Sequence, residues 1–353
     1  MSLDDREEGE VLDLSPLVGN EAVLEEAFSA LQAGRLHHAL CLTGPKGVGK
    51  SLAARHLGRA FLCPERSGGG RACGSCRSCR RVALGSHPDW MELRPSGASA
   101  LGTISVDRVR EMAQRVWRKP GEGVGRVVLI EAAHLLGVVG QNALLKTLEE
   151  PPPSTLFLLV TPRTAELLPT VLSRCQILRF APLPAEQVRQ VLSRKGSWSE
   201  EELEEALAFS EGSPGRALAF LEEGGRVLRE KVRELLALPF GRWDPFLLTQ
   251  EILALEEKER PRGPEEELTP AQARRRRVLL FVQLLQQEAA AGFRASLLEG
   301  ARGGPYDPDP PDPERIETWL ARCFQAEQNL LSNLDPALVL EVLLLDLAGM
   351  GRA

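Results

Sequence analysis

The sequence lacks an apolar run of about 18 residues, the length that a membrane-spanning helix requires. Its most apolar stretch, Ala337 to Leu347, is interrupted by the charged residues Glu341 and Asp346. The amino-terminal segment, Met1 to Glu8, is acidic and has none of the features of a secretory signal. We therefore expect a cytoplasmic protein that has no membrane partner.

Internal repeats and a strong positive charge are also missing. No segment recurs with a period of roughly 20 to 50 residues, which excludes a repeat architecture. The 43 Lys and Arg residues are outnumbered by 49 Asp and Glu residues, giving a net charge of −6. This balance argues against DNA binding through bulk electrostatic attraction, although it is compatible with a local basic patch. With 353 residues, 43% of them hydrophobic, the chain is long enough for about two or three domains with real cores.

A glycine-rich motif follows a predicted buried strand, Ala39 to Thr43. It fits the pattern G-x-x-x-x-G-K-[ST] and precedes a helical stretch from Leu52 to Phe61. In this context the N–H groups of the loop turn toward phosphate oxygens, and the start of the helix favours an anion. Lys50 is expected to reach the β- and γ-phosphates of ATP or ADP, and Ser51 to hold Mg²⁺. The predicted nucleotide-binding loop, or P-loop, consists of Gly44, Pro45, Lys46, Gly47, Val48, Gly49, Lys50 and Ser51.

Four of the seven cysteines lie close together in the sequence, at Cys63, Cys73, Cys76 and Cys79. Four thiolates complete a tetrahedral Zn²⁺ site, and in a cytoplasmic chain a metal is favoured over disulfides. The flexible stretch Ser67 to Gly70 can bring the first cysteine back to the other three. Because a site with four thiolates has no open coordination position, we predict a structural zinc site. The alternative is a set of reduced thiols that face the solvent.

A carboxylate stands at the end of a second buried strand, Arg126 to Ile130. In open α/β sheets ligands bind at the carboxyl ends of the strands, so Glu131 is placed to reach the Mg²⁺ of the P-loop. P-loop hydrolases generally carry two adjacent acids here, one for the metal and one for the attacking water. Ala132 follows Glu131 in this chain, so one of the two carboxylates is missing.

Two further residues stand at the ends of predicted strands. Thr161 ends a buried strand at the edge where a hydroxyl can sense a γ-phosphate; the alternative is an ordinary strand terminus. Arg174 precedes the strand Gln176 to Phe180, and taken alone it would be a surface charge. After Pro184 the patterns are helical only. The sequence therefore predicts an α/β P-loop domain with a parallel sheet flanked by helices, followed by an all-α region.

Together these motifs resemble the clamp-loader subunits of bacterial DNA polymerase III. The resemblance covers most of residues 14–225 and is weaker over the helical tail. It is carried by the P-loop, by the cysteine module and by four further motifs: Leu36-His37-His38-Ala39, His87-Pro88-Asp89, the run Asn142 to Pro152, and Ser173-Arg174-Cys175.

The resemblance implies a fold, partners and a role for one arginine. The fold is an AAA+ P-loop domain over residues 1–183 with the zinc module inserted at 63–79, a helical lid over 184–224 and a helical collar over 225–353. The implied partners are the gamma/tau and delta subunits in a five-subunit ring and, through the complex, the sliding clamp and primed DNA. In that family the Arg of Ser-Arg-Cys, here Arg174, is the finger that is offered to ATP on the neighbouring subunit.

Departures from the family pattern favour the delta-prime branch over the gamma/tau branch. The gamma/tau motors hydrolyse ATP with the full acidic pair, whereas here Ala132 replaces the second acid. Motor subunits carry Gly-x-x-Arg at a second sensor position; here Arg216 is the candidate nucleotide contact, and it comes one place late after Gly212. The intact P-loop points the other way, since many delta-prime proteins have lost it.

We therefore expect a replication subunit that binds nucleotide without efficient hydrolysis and is not an independent ATPase. One alternative is a competent gamma-type ATPase that uses Glu131 as its only metal acid. The other is a zinc-containing AAA+ adaptor outside replication.

Overall fold

A computed structural model of the chain describes residues 12–95, 103–122, 124–238, 242–255, 270–299, 313–332 and 334–349. The acidic segment Met1 to Glu8 lies outside these residues. The chain forms two compact units. The first extends to Lys195 and includes the short segment Gly212–Gly215, and the second comprises Gly196–Glu211 and the chain from Arg216 onward.

The first unit is built on a five-stranded sheet in which every pair of neighbours is parallel. The strands are β1 (Ala39–Thr43), β2 (Trp90–Leu93), β3 (Arg126–Ile130), β4 (Thr155–Thr161) and β5 (Gln176–Arg179). Their spatial order is β2-β3-β4-β1-β5. The strands β1, β3 and β4 are buried along their whole length, as expected for parallel strands covered on both faces. The predicted parallel α/β class is confirmed.

The first unit also contains helices, and some of them pack on the two faces of the sheet. They are α1 (Glu21–Gln32), α2 (Lys50–Leu62), α3 (Arg77–Ala83), α4 (Val106–Arg115), α5 (Gly137–Glu149), α6 (Pro169–Leu172) and α7 (Ala185–Lys195). Successive strand residues point to opposite faces. On one face Cys41, Val128 and Phe157 belong to a buried cluster that includes Val109 of α4 and Leu144 of α5.

The helix α2 packs on β3 and β4, and one glycine makes this contact close. A Cβ atom added at Gly58 would lie 2.6 Å from the ring of Trp90 and 3.0 Å from Val127. A larger residue at this position would therefore push the helix that follows the P-loop away from the sheet.

In the second unit helices are the only regular secondary structure among the residues that the structure describes. Its helices are α8 (Glu200–Ser210), α9 (Pro214–Glu222, whose first two residues belong to the first unit), α10 (Gly225–Leu236), α11 (Pro245–Ala254), α12 (Pro270–Glu299), α13 (Pro313–Leu331) and α14 (Pro336–Gly349). The long helix α12 packs against α10 and α13 and buries Phe281, Leu284 and Leu285. These helices agree with the helical patterns of the sequence. The division into a lid and a collar stays a prediction.

None of the helices in the described part of the chain combines the length and the apolar character that a membrane span requires.

A buried ion pair fixes the loop that leads into β3. Asp89 and Arg126 are both buried, and the distance from Arg126 Nη2 to Asp89 Oδ1 is 3.5 Å. The Asp89 carboxylate accepts hydrogen bonds from the N–H groups of Gly121 and Glu122 at 2.7 and 2.9 Å. The guanidinium of Arg126 donates to four carbonyl groups at the end of α4 and in the loop that follows it, those of Arg115, Val116, Arg118 and Lys119. The motif His87-Pro88-Asp89 is therefore part of the structural framework.

Replacing Asp89 with Asn removes the charge partner of a buried arginine. We expect Asp89→Asn to lower the free energy of unfolding by about 3 kcal/mol, because Arg126 stays buried and charged without its carboxylate. Urea unfolding followed by circular dichroism measures this change. The control is Asp107→Asn, since the Asp107 side chain is 93% exposed and pairs with Arg110 on the helix surface. Equal unfolding midpoints for Asp89→Asn and the wild type would contradict the prediction.

Candidate functional site

The glycine-rich motif forms the turn between β1 and α2, as predicted, and α2 begins at Lys50. Gly44, Gly47 and Gly49 have φ angles of 139°, 82° and 95°, which L side chains rarely adopt. A Cβ atom at Gly44 would also lie 2.2 Å from the carbonyl oxygen of Phe180. The glycines are therefore required by the backbone path of the loop.

The side chain of Lys50 lies against the P-loop and is buried. Its Nζ donates hydrogen bonds to the carbonyl oxygens of Gly44 at 2.7 Å and Pro45 at 2.6 Å. Burial and, to a lesser extent, the charge of Lys46 lower the pKa of Lys50 to about 8. A phosphate that accepts from Nζ would stabilise the charged ammonium and raise this pKa again. The arrangement is therefore suited to an anion.

A second segment, just before Arg216, holds the carbonyl side of the P-loop. From the sequence only Arg216 of this region was expected to contact nucleotide, and Ser213 and Gly215 had no predicted role. The Ser213 hydroxyl donates to the carbonyl oxygen of Lys46 at 2.8 Å, and the N–H of Gly215 donates to that of Gly47 at 3.0 Å. Both contacts lie within the first unit. No local pattern in the sequence connects these residues to a loop so far away along the chain.

Glu131 directly follows β3, at the carboxyl end of that strand. Its carboxylate accepts a hydrogen bond from Arg55 of α2 at 2.8 Å and lies 3.9 Å from Nε of Arg94. A Mg²⁺ ion at this carboxylate would compete with Arg55 for Oε1 or lie close to Arg94 at Oε2. Ala132 follows with a left-handed φ of 54°, and its methyl side chain provides no second acid.

Thr161 is fully buried at the end of β4. Its hydroxyl donates to the carbonyl oxygen of Arg163 at 2.8 Å and accepts from the N–H of the same residue at 3.3 Å. These bonds close the turn after β4, so a γ-phosphate would have to share the hydroxyl with the turn. The P-loop and Glu131 follow β1 and β3, and Thr161 ends β4, which lies between them. All three therefore lie at the carboxyl edge of the sheet.

Arg174 lies at the opposite, amino edge of the sheet. It precedes β5, which begins at Gln176 and runs parallel to β1. Its guanidinium donates to the Glu149 carboxylate, to the carbonyl oxygen of Thr170 at 2.8 Å and to the Ser173 hydroxyl at 3.2 Å. The arginine is thus held in one place but keeps 31% of its side chain exposed.

Three of the motifs that carry the resemblance meet at this amino edge. His38 immediately precedes β1, and its Nε2 lies 2.9 Å from the carbonyl oxygen of Leu148 near the end of α5. Burial lowers the pKa of His38, so the neutral ring donates this hydrogen bond from Nε2. The next residue of α5, Glu149, pairs with Arg174. The sequence analysis assigned Glu149 no role, because its pairing depends on the position of α5 beside the segment that precedes β5.

Arg216 belongs to the second unit and has two partners there. Its guanidinium pairs with the Glu211 carboxylate, and its central carbon lies 4.8 Å from the centre of the Phe209 ring. The predicted contact of Arg216 with nucleotide stays a prediction.

The four cysteines come together as the spacing predicted. Their sulfur atoms all lie within 4.8 Å of one another, with 3.9 Å between Cys63 and Cys76 and 4.0 Å between Cys73 and Cys79. Zn–S bonds of about 2.3 Å in a tetrahedron place the sulfurs about 3.8 Å apart, so the group could hold a metal ion.

Backbone N–H groups surround this cysteine cluster. The N–H groups of Cys73, Cys76 and Cys79 each lie 3.4 Å from the sulfur of the preceding cysteine of the cluster. The hydrogen bond from the N–H of Cys76 is the main reason that the pKa of Cys73 is lowered to about 6. Burial acts in the other direction and raises the pKa of the Cys79 thiol to about 12. A bound cation would offset this unfavourable burial of thiolate charge.

The family model and the relatives that match this chain all belong to subunits of DNA polymerase III. A family model described as "DNA polymerase III, delta subunit" matches residues 19–184. The chain is 38% identical to DNA polymerase III subunit delta' of Escherichia coli K12 over 225 residues, which is 63% of this chain and 66% of that protein. The match thus spans just under two thirds of the E. coli protein. The chain is also 38% identical to the E. coli tau subunit, but over only 176 residues and 26% of that protein.

The delta' subunit of Haemophilus influenzae Rd is matched over a longer stretch. The identity is 34% over 239 residues, which is 67% of this chain and 70% of the Haemophilus protein. At this identity and coverage the chain belongs to the family of bacterial DNA polymerase III delta-prime subunits.

Proposed function

We propose that the chain is the stator subunit of the clamp loader of DNA polymerase III. It binds ATP or ADP with Mg²⁺ at the P-loop without efficient hydrolysis, and it offers Arg174 to the nucleotide on a neighbouring subunit. Its partners are gamma/tau and delta subunits in a five-subunit ring that loads a sliding clamp onto primed DNA. In this proposal residues 1–183 form the AAA+ domain, 184–224 the lid and 225–353 the collar that joins the ring.

The position of Arg174 carries the proposal. The P-loop follows β1 at the carboxyl edge of the sheet, whereas Arg174 precedes the parallel strand β5 at the amino edge. The two strands have five and four residues. The edges are therefore roughly 13 to 17 Å apart along the strands, which is longer than an extended arginine side chain. An arginine in this place is suited to a nucleotide on another subunit and not to its own.

Glu149 is the residue that positions this arginine. The carboxylate of Glu149 pairs with the Arg174 guanidinium, and the two side chains are 48% and 31% exposed. A charge-assisted pair of this kind fixes the direction of the guanidinium but leaves it accessible from solvent. The phosphates of a neighbouring nucleotide would compete with Glu149 for the same donors.

Replacing Arg174 with Ala should reduce clamp-stimulated ATP turnover by the reconstituted complex by about 10³-fold, the lower end of the range for arginine fingers. Nucleotide affinity at the P-loop of this chain should not change, because Arg174 lies at the other edge of the sheet. Steady-state turnover and equilibrium ATP binding measure the two effects. The control is Arg110→Ala, which removes an exposed arginine that also pairs with an acid, here Asp107. Unchanged turnover in the Arg174→Ala complex would contradict the finger role.

Two features support binding without efficient hydrolysis. Arg55 holds the Glu131 carboxylate at 2.8 Å, and Ala132 supplies no group to polarise an attacking water. Positions 131 and 132 at the end of β3 therefore supply at most one acid for the metal and none for the water. The intact P-loop favours one other function, a gamma-type ATPase in which Glu131 suffices.

We infer that the cysteine cluster holds a structural Zn²⁺. All four coordination positions would be filled by thiolates, and none would stay open for a substrate. The metal would fasten the segment between α2 and α3 to the core. The two helices are also joined directly, because the Ser78 hydroxyl of α3 donates to the carbonyl oxygen of Leu62 in α2 at 2.9 Å and lies 3.1 Å from Nε2 of His87.

Native mass spectrometry of the pure protein should find about one Zn²⁺ per chain. Cys73→Ser should lower this occupancy, because the serine hydroxyl is a much poorer zinc ligand than a thiolate. Cys323→Ser is the matched control, since Cys323 is a buried cysteine of α13 outside the cluster. A wild-type protein with no bound zinc would contradict the assignment.

A further inference from the structure

The carbonyl groups of the P-loop are held from two sides. Lys50 Nζ donates to the carbonyl oxygens of Gly44 and Pro45. Ser213 and Gly215 donate to the next two carbonyl oxygens, those of Lys46 and Gly47. Four successive carbonyl groups of the loop thus accept hydrogen bonds, two from the loop's own lysine and two from a distant segment of the same unit.

Peptide geometry connects these carbonyl contacts to the amide groups of the loop. In a trans peptide the C=O of one residue and the N–H of the next point in opposite directions. The described residues contain no cis peptide bond. Holding the Lys46 and Gly47 carbonyl oxygens against Ser213 and Gly215 therefore turns the N–H groups of Gly47 and Val48 to the other side. That side is where a P-loop receives its phosphates.

The residue types of this segment suit the contact. Gly212 has a φ of 78°, and its carbonyl oxygen accepts from the N–H of Leu183 at 2.7 Å, which anchors the turn. Pro214 has no N–H and a restricted φ, so it can begin α9 without an unsatisfied donor. A Cβ atom at Gly215 would lie 2.8 Å from the Cα atom of Gly47, so only glycine allows this approach. The hydroxyl of Ser213, which is 1% exposed, completes the contact.

We propose that Ser213 and Gly215 are positioning residues for nucleotide binding. They hold the amide groups of the P-loop in the direction that the phosphates of a nucleoside di- or triphosphate require, and so reduce the ordering that binding must supply. The inference rests on the proposed binding of nucleotide at the P-loop. Its test therefore includes a measurement that requires no nucleotide.

The first measurement is amide hydrogen exchange of the full chain without nucleotide, on peptides that cover residues 44–51. Ser213→Ala should accelerate exchange in these peptides by about fivefold, the effect of losing one net hydrogen bond. The matched control is Ser210→Ala, since Ser210 is also 1% exposed but donates to the carbonyl oxygen of Leu207 in its own helix. Gly215→Ala is a second variant, in which the added methyl group pushes against Gly47.

The second measurement is equilibrium ATP binding by the same proteins. We expect the Kd to rise by about fivefold in Ser213→Ala, by at least as much in Gly215→Ala, and not at all in Ser210→Ala. Circular dichroism checks that each variant is folded.

The outcomes separate this inference from the proposed function. Unchanged exchange in both Ser213→Ala and Gly215→Ala would overturn the inference, and so would faster exchange with unchanged ATP affinity. A wild-type protein that binds no ATP would contradict the nucleotide part of the proposed function. In that case the amide hydrogen exchange of residues 44–51 would still show whether Ser213 and Gly215 hold the P-loop.

Discussion

All five strands of the sheet run in the same direction, and this constraint decides where each functional group can act. The P-loop, Glu131 and Thr161 lie at the carboxyl edge, because they stand at the carboxyl ends of three neighbouring strands. The amino edge collects His38, Glu149 and Arg174, because they precede strands or end the helix that leads to one. Under the proposed function, the carboxyl edge would bind the chain's own nucleotide and the amino edge would serve a nucleotide on a neighbour. In a ring of similar subunits these two edges would meet.

The charged groups of both edges are held by partners within the first unit. Lys50 donates to loop carbonyls, Arg55 holds Glu131, and Glu149 holds Arg174. These contacts fix the direction of each charge, and a nucleotide that binds must replace some of them. Replacing the contacts of Arg174 costs less free energy, because its side chain is partly exposed. Replacing those of Lys50 costs more, because Lys50 is buried. The held charges therefore favour a preassembled arrangement of these groups.

The local patterns were sufficient to predict the P-loop turn and the cysteine cluster. Both depend on residues that are close in sequence: a strand, glycines with positive φ and a helix start in one case, and four thiols with flexible spacing in the other. The contacts that were missed join distant segments. Ser213 reaches Lys46 across 167 positions, and the burial of Arg126 at the start of β3 depends on Asp89 at the start of β2. Sequence periodicity describes only residues that are close along the chain, so it does not reveal such pairs. A buried arginine at the start of a strand therefore cannot be distinguished from an exposed one.

In the proposed function, this chain binds nucleotide and leaves the chemistry to a neighbour. Single-turnover hydrolysis of labelled ATP by the isolated protein, measured beside equilibrium ATP binding, tests this claim most directly. The account predicts that ATP binds and that no product forms on the timescale of clamp loading, because Ala132 provides no group to activate water. Binding followed by turnover at the rate of a motor subunit would contradict it, and would mean that Glu131 alone supports hydrolysis.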